Sequence, residues 1–189
     1  MSQNPTQRSP LPPVHRYITT HNAEGLATFD TQIPAPANWT QPMEGADFFL
    51  GYTTTNFPVK VNDDADIKAY KPYIENAPGL VVHGGSVCRF VDFLPGYPSK
   101  MHRTSSVDYG VVLEGQLELE LDSGEKRIMN RGDVCVQRAT NHAWRNTSNT
   151  EWVSDPFAGN SAGCLFANAA NSILRKGEND VRIAAVRGA

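Results

Sequence analysis

The chain has 189 residues, 40% of them hydrophobic and 20% charged, and a net charge of −3. That length suits one domain with a substantial core. The charge shows no basic stripe of the kind nucleic acid demands, and no apolar run approaches membrane-spanning length. Three cysteines, Cys88, Cys135 and Cys164, are an odd number at no metal-ligand spacing. Cys88 and Cys135 sit in apolar runs and read as buried free thiols of a cytoplasmic protein.

Residues 1–14 are polar and proline-rich, and are expected to be disordered. They lack the apolar stretch of a secretory signal. Residues 15–78 form an N-terminal arm with strands that pack on a barrel. Within it, Arg16 to Thr20 and Leu26 to Phe29 are β-rich runs around a turn at Asn22 to Gly25, which predicts a hairpin. His15 and His21 fall at its edge. Residues 33–42 (IPAPANWTQP) read as a connector. Phe48 to Thr54 and Phe57 to Val61 read as strands. The polar stretch 61–72 reads as a loop with one helical turn.

The barrel core is expected over residues 79–152. Its strands are Leu80 to Val82, Ser86 to Leu94, one around His102, Tyr109 to Leu113, Gln116 to Leu121, Lys126 to Met129, Val134 to Gln137 and Ala143 to Asn146. Tyr109 to Leu113 and Gln116 to Leu121 read as a pair joined at Glu114-Gly115. Leu117, Leu119 and Leu121 alternate with Glu118 and Glu120, so one face is buried and the glutamates are surface charges. Asp122-Ser123-Gly124 is a hairpin turn. The pattern fails after Trp152, and residues 153–189 form an irregular tail. Gly163 to Ala167 and Val181 to Val186 are its only strand candidates, and Phe166 to Arg175 its one helix candidate. Many short strands with regular turn signals give an all-β barrel or jelly roll.

Two stretches carry the chemistry. In GYPSKMHRTSSVDYGVVLEG, five residues separate Gly96 from His102, Thr104 lies two beyond, and six separate Asp108 from Gly115. In GDVCVQRATNHAWRN, His142, Trp144 and Asn146 share one strand face. Brought face to face, these strands would put His102, Asp108 and His142 around one point. Two imidazoles and a carboxylate suit a divalent transition metal. The plainer reading is a hydrogen-bonded pocket or core role for each histidine. Asp108 would then cap a turn or pair with Arg103 or Arg138. Trp144 is either an apolar wall for an aromatic substrate or ordinary core. Arg103 and Arg138 flank the motifs and suit a bidentate grip on a carboxylate, or the surface. Arg89 and Asp92 lie on opposite faces of one strand and cannot both be buried cheaply.

The first stretch resembles the first motif of the cupin family: Gly, five residues, His-x-His, three or four residues, Glu, six residues, Gly. Here Thr104 stands for the second histidine and Asp108 for the glutamate. The second stretch resembles the second motif, with Arg138 at the usual proline, Thr140 at the usual glycine, and His142 one residue early. The resemblance implies a cupin-like double-stranded β-helix with an N-terminal hairpin arm. It also implies a metal (Fe, Mn, Ni or Zn) on His102, Asp108 and His142. Thr104 is a poor ligand and aspartate is short, so that metal would be weakly held or absent. Thr104 and Asn146 would join Trp144, Arg103 and Arg138 in lining the substrate site.

Residues 14–152 are similar to a narrower group, the small single-domain cupins found beside fungal aromatic-polyketide synthases. That likeness implies a decarboxylase of an aromatic polyketide carboxylic acid. The alternatives are a cupin oxidoreductase or oxygenase of such a pathway, or a small-molecule-binding barrel without catalysis. A homodimer paired through Arg16 to Phe29 is implied in the same way.

Overall fold

A computed structural model describes residues 8–155. Eleven strands and one helix are formed in the order β1 (Thr19–His21), β2 (Ala27–Phe29), β3 (Trp39–Met43), β4 (Ala46–Thr54), α1 (Ala65–Glu75), β5 (Ser86–Phe93), β6 (Val107–Val111), β7 (Gln116–Leu121), β8 (Lys126–Asn130), β9 (Val134–Arg138), β10 (His142–Asn146) and β11 (Val153–Asp155). The fold is the all-β jelly roll expected. One sheet has the order β11-β5-β4-β3 and a second β10-β7-β8, with β6 paired to β9 beside them.

Between the sheets lies a core of Ala46, Val91, Phe93, Val112, Leu117, Met129, Trp144 and Val153. On β5 its members Val91 and Phe93 stand two residues apart, as a half-buried sheet requires. On β7 Leu117 is buried, but Glu118, Leu119, Glu120 and Leu121 are all half-buried, and the two glutamates pair with Lys126 at 3.2 and 2.9 Å. A smaller cluster of Ile33, Ile67 and Tyr70 joins α1 to the N-terminal segment.

Several local expectations are corrected. The connector ends in a strand, because β3 pairs with β4 through Trp39↔Phe49 and Thr40↔Phe48 before its register breaks near Pro42. The stretch read as a loop is an 11-residue helix. Ile67, Tyr70 and Ile74 recur at helical spacing, and the Tyr70 hydroxyl donates to the Leu50 carbonyl at 2.8 Å. Phe57 to Val61 and Leu80 to Val82 are not strands, having no sheet edge to pair with. The first hairpin strand is shorter than expected, Thr19 pairing with Phe29.

The largest correction concerns β6 and β7, which are not a hairpin. β6 pairs with β9 and β7 with β8 and β10. Between them Leu113 N donates to Ser154 O and Val112 N to Asp133 O, so the chain crosses from one sheet to the other. Gly115 makes the crossing at φ +83°, where a Cβ would meet Val153 at 2.9 Å. β4 and β5 straddle residue 79 and are paired from Ala46↔Phe93 to Thr54↔Ser86, so the arm and the barrel share a sheet. β11, which the sequence pattern hid, pairs with β5 through Val153↔Phe93. The expectations for 163–167, 166–175 and 181–186, Cys164 and residues 1–7 lie outside the described residues. Cys88 and Cys135 are half-buried. No helix among the described residues is long and apolar enough to cross a membrane.

Asn146 closes one end of the sandwich. Its Nδ2 donates to the carbonyls of Phe93 (3.3 Å), Leu94 (3.0 Å) and Glu151 (2.8 Å), and its Oδ1 accepts from Ser148 N at 2.9 Å. Each buried carbonyl left without a donor costs about 1–3 kcal/mol. Asn146→Ala should therefore lower unfolding stability by about 3 kcal/mol in urea titration. Asn146→Asp, which has no donor, should lose as much. Unchanged midpoints would show that the bracket contributes nothing.

Candidate functional site

Residues 97–102 run antiparallel to β10 and set the site. Asn146 N donates to Tyr97 O at 3.0 Å, Ser99 N to Trp144 O at 2.7 Å, and His102 and His142 exchange both backbone bonds at 2.9 Å. The strand expected around His102 is thus a single bridge, His102↔His142. That bridge brings the two side chains together, with ring centroids 4.3 Å apart and the planes tilted by 54°.

Each imidazole is oriented by a backbone carbonyl. His102 Nδ1 lies 2.8 Å from Lys100 O and His142 Nδ1 lies 2.9 Å from Thr140 O. A carbonyl only accepts, so both Nδ1 atoms carry the proton and both Nε2 atoms carry the lone pair. Burial pulls the His142 pKa down to about 4; the bond to Thr140 opposes this and His102 reinforces it. His142 is therefore neutral at pH 7. Trp144 lies beside it, edge-on at 5.9 Å, and is 2% exposed within the core cluster.

Asp108 projects inward from β6, with Gly110 on the same face and Tyr109 turned out. Thr104 Oγ1 donates to Asp108 Oδ2 at 2.7 Å. Burial raises the Asp108 pKa, while Ser106, Thr104 and His102 pull it back. Gln137 faces Asp108 across the β6–β9 ladder and is equally buried.

The structure brings His102 and His142 together, with Asp108 within electrostatic reach of His102. It does not make a three-ligand centre: among the described residues, no three His, Cys, Asp or Glu groups converge to hold a metal. Aspartate is one methylene shorter than glutamate, and one of its oxygens is already engaged by Thr104. The tautomers suit a metal, but the donor set does not complete one. Thr104 orients Asp108. Asn146, expected to line the ligand, spends its amide on backbone at the closed end. Arg103 and Arg138 are both exposed. Arg138 follows Gln137 on β9, and alternation turns the arginine out when the glutamine points in.

The sequence reading did not assign three inward polar groups to the site: Ser106, Gln137 and Arg89. Ser106 and Gln137 carry no signal in a single sequence. Arg89 does carry one, because it interrupts the apolar face Val87, Val91, Phe93 on β5. Arg89 and Asp92 are both buried, on opposite faces of that strand.

A family model described as "Cupin domain" matches residues 89–154. "Oryzines biosynthesis cluster protein J" of Aspergillus oryzae is 52% identical over 143 residues, covering 76% of this chain and 80% of that protein. "Cupin-domain-containing oxidoreductase virC" of Hypocrea virens is 48% identical over 131 residues, covering 69% and 66%. Among solved structures, KdgF from Halomonas sp. aligns at 17% identity and a TM-score of 0.41, over 62% of this chain and 82% of that one.

The buried His142 sets an acid limit. Its folded pKa lies below the unfolded value of 6.5, so the stability it confers is complete above 6.5 and lost as pH falls toward about 4. Asp108 acts in the opposite sense, since its folded carboxyl takes up a proton before the unfolded one does. The difference between the parent and His142→Gln isolates the histidine. Relative to that variant, the parent should lose on the order of 3 kcal/mol between pH 6.5 and 4 by urea unfolding. Parallel pH profiles would refute it.

Proposed function

The chain belongs to the cupin family, and on that footing we propose that it is an enzyme of fungal secondary metabolism that decarboxylates an aromatic polyketide carboxylic acid. The observation that carries the chemistry is the adjacent pair His102 and His142, each oriented with its lone pair on Nε2. Breaking the carbon–carboxylate bond releases CO2 and leaves an electron pair on the ring carbon. A neighbouring carbonyl or phenol oxygen shares that charge, and the carbon must then take a proton. A neutral imidazole can accept the phenol or enol proton. Asp108, whose burial favours the protonated carboxyl, is the donor to carbon. Thr104 fixes the orientation of that carboxyl. No step is routed through a metal, because the donor set does not complete a site for one.

The involvement in secondary metabolism is supported by relatives named after biosynthesis clusters. A second reading, an oxidoreductase, is favoured by the printed names of further relatives at 48% and 43% identity. Oxygen separates the two. With an ortho-hydroxy aromatic acid as substrate, CO2 should form at the same rate in air and under argon. His142→Ala should reduce that rate at least 100-fold. CO2 release that needs oxygen would transfer the assignment to the oxidoreductase class. Full activity in His142→Ala would remove the mechanism.

We extend the proposal to a homodimer paired through β1 and β2. Tyr17, Leu26 and Phe29 expose 69%, 66% and 63% of their surface there. Light scattering should give twice the chain mass, and Leu26→Glu with Phe29→Glu should give the monomer. A monomeric parent would end this reading.

A further inference from the structure

Arg89 is a buried cation. It is 3% exposed on the inner face of β5. Its Nη2 donates to the Gly79 carbonyl at 3.1 Å, and its guanidinium lies 5.5 Å from the centroid of the Phe48 ring. These contacts leave most of its donors unused. Among the described residues no carboxylate lies within ion-pair distance of it. Asp92 is on the other face of the strand, and Asp47 is held by Arg8. Burial lowers the Arg89 pKa to about 10, which keeps it charged at pH 7. An uncompensated charge in a protein interior is strongly unfavourable unless an anion arrives to meet it.

Its height in the barrel follows from the closed end. Asn146 bonds to the carbonyls of Phe93 and Leu94, so those residues stand level with it. Two residues in from this closure, Val91 on β5 and Trp144 on β10 belong to one cluster between the facing sheets. Four residues in, at about 3.3 Å per residue, stand Arg89 and His142. The same end holds His102, bridged to His142. Arg103 and Arg138 lie at this end too, but they are exposed. Arg89 is the arginine that is both buried and turned toward the core.

We propose that Arg89 is the anion anchor of the ligand site, gripping the carboxylate of an aromatic acid at the level of His142. This rests on the reading that the barrel takes a small aromatic molecule, and it restricts that molecule to anions. The guanidinium offers two parallel N–H groups to the carboxylate, and Phe48 beneath it backs the planar contact. A carboxylate held there is desolvated on arrival, as decarboxylation favours.

The test is binding to the full-length chain, with salicylate and its uncharged counterpart salicylamide as probes, followed by calorimetry or NMR titration. The parent should bind salicylate at least tenfold more tightly than salicylamide. Arg89→Met should lose that preference, keep its affinity for salicylamide, and melt no lower than the parent. Arg89→Lys keeps the charge without the fork and should fall between the two. If Arg89→Met fails to fold, the preference in Arg89→Lys decides, and a value equal to the parent's overturns the proposal. So does a parent with no preference, or an Arg89→Met variant that retains it. A lower melting temperature with the preference intact would assign Arg89 to holding the Gly79 loop. The readout needs no turnover. It can therefore succeed where decarboxylation is absent and fail where decarboxylation is present.

Discussion

One asparagine sets the heights of both sheets. Asn146 gathers three carbonyls and one amide from the ends of β5 and β10 and the loop after β10. Leu94 O also accepts from Tyr97 N at 3.1 Å, so the asparagine reinforces that turn and ties the Phe93 and Glu151 carbonyls and the Ser148 amide to it. With the closed end fixed, the strands run out from it side by side. What each inward residue can reach is then decided by counting in twos.

Counting in twos also separates two kinds of interior. Near the closure the inward residues are Phe93, Val91, Val112, Leu117, Trp144 and Val153, all within one apolar cluster. Further out four buried polar groups, Arg89, Asp108, Gln137 and His142, face inward beside the apolar Val87. The first set buries apolar surface, at about 25 cal/mol per Å2. The second costs stability, since burial shifts His142 and Arg89 away from their charged forms and Asp108 toward its neutral one. A barrel selected for stability alone would carry apolar residues through both levels. Three shifted groups at one end of one core support placing the proposed site there.

The sequence made some of this legible and hid the rest for identifiable reasons. The leucine and glutamate alternation of β7 needs only its own strand to be read. The facing of His142 and Trp144 likewise follows from a period of two. Pairing is different: β6 and β7 look like a hairpin around Gly115, yet their partners lie elsewhere in the chain. Prolines made 33–42 read as a connector, with Pro42 at the register break of β3, and polar, acidic residues made 61–72 read as a loop where α1 begins. The site was half visible. The spacing of the motifs brought His102 and His142 together. It could not show that Thr104 would take up one oxygen of Asp108, because a side-chain bond four residues along an irregular loop leaves no periodic trace.

The two faces of the β4–β5 ladder treat buried charge in opposite ways. On the outer face Asp47 and Asp92 are directly opposed across the strands, an arrangement of like charges that is unfavourable by itself. The chain answers with Arg8. Its Nε bonds Asp47 Oδ1 at 2.9 Å, its Nη2 contacts the same oxygen, and its backbone N bonds Oδ2 at 3.2 Å. The segment that delivers Arg8 runs across many residues of sequence to reach the sheet, so counter-charge is within the means of this fold. On the inner face the ladder carries one arginine, and no described acid meets it. Arg89 could have been matched by an inward acid on β4, where its cross-strand neighbour is Leu50. Among the described residues charge is paired on the outer face and not on the inner one, and that contrast supports reading Arg89 as a cation placed for a ligand.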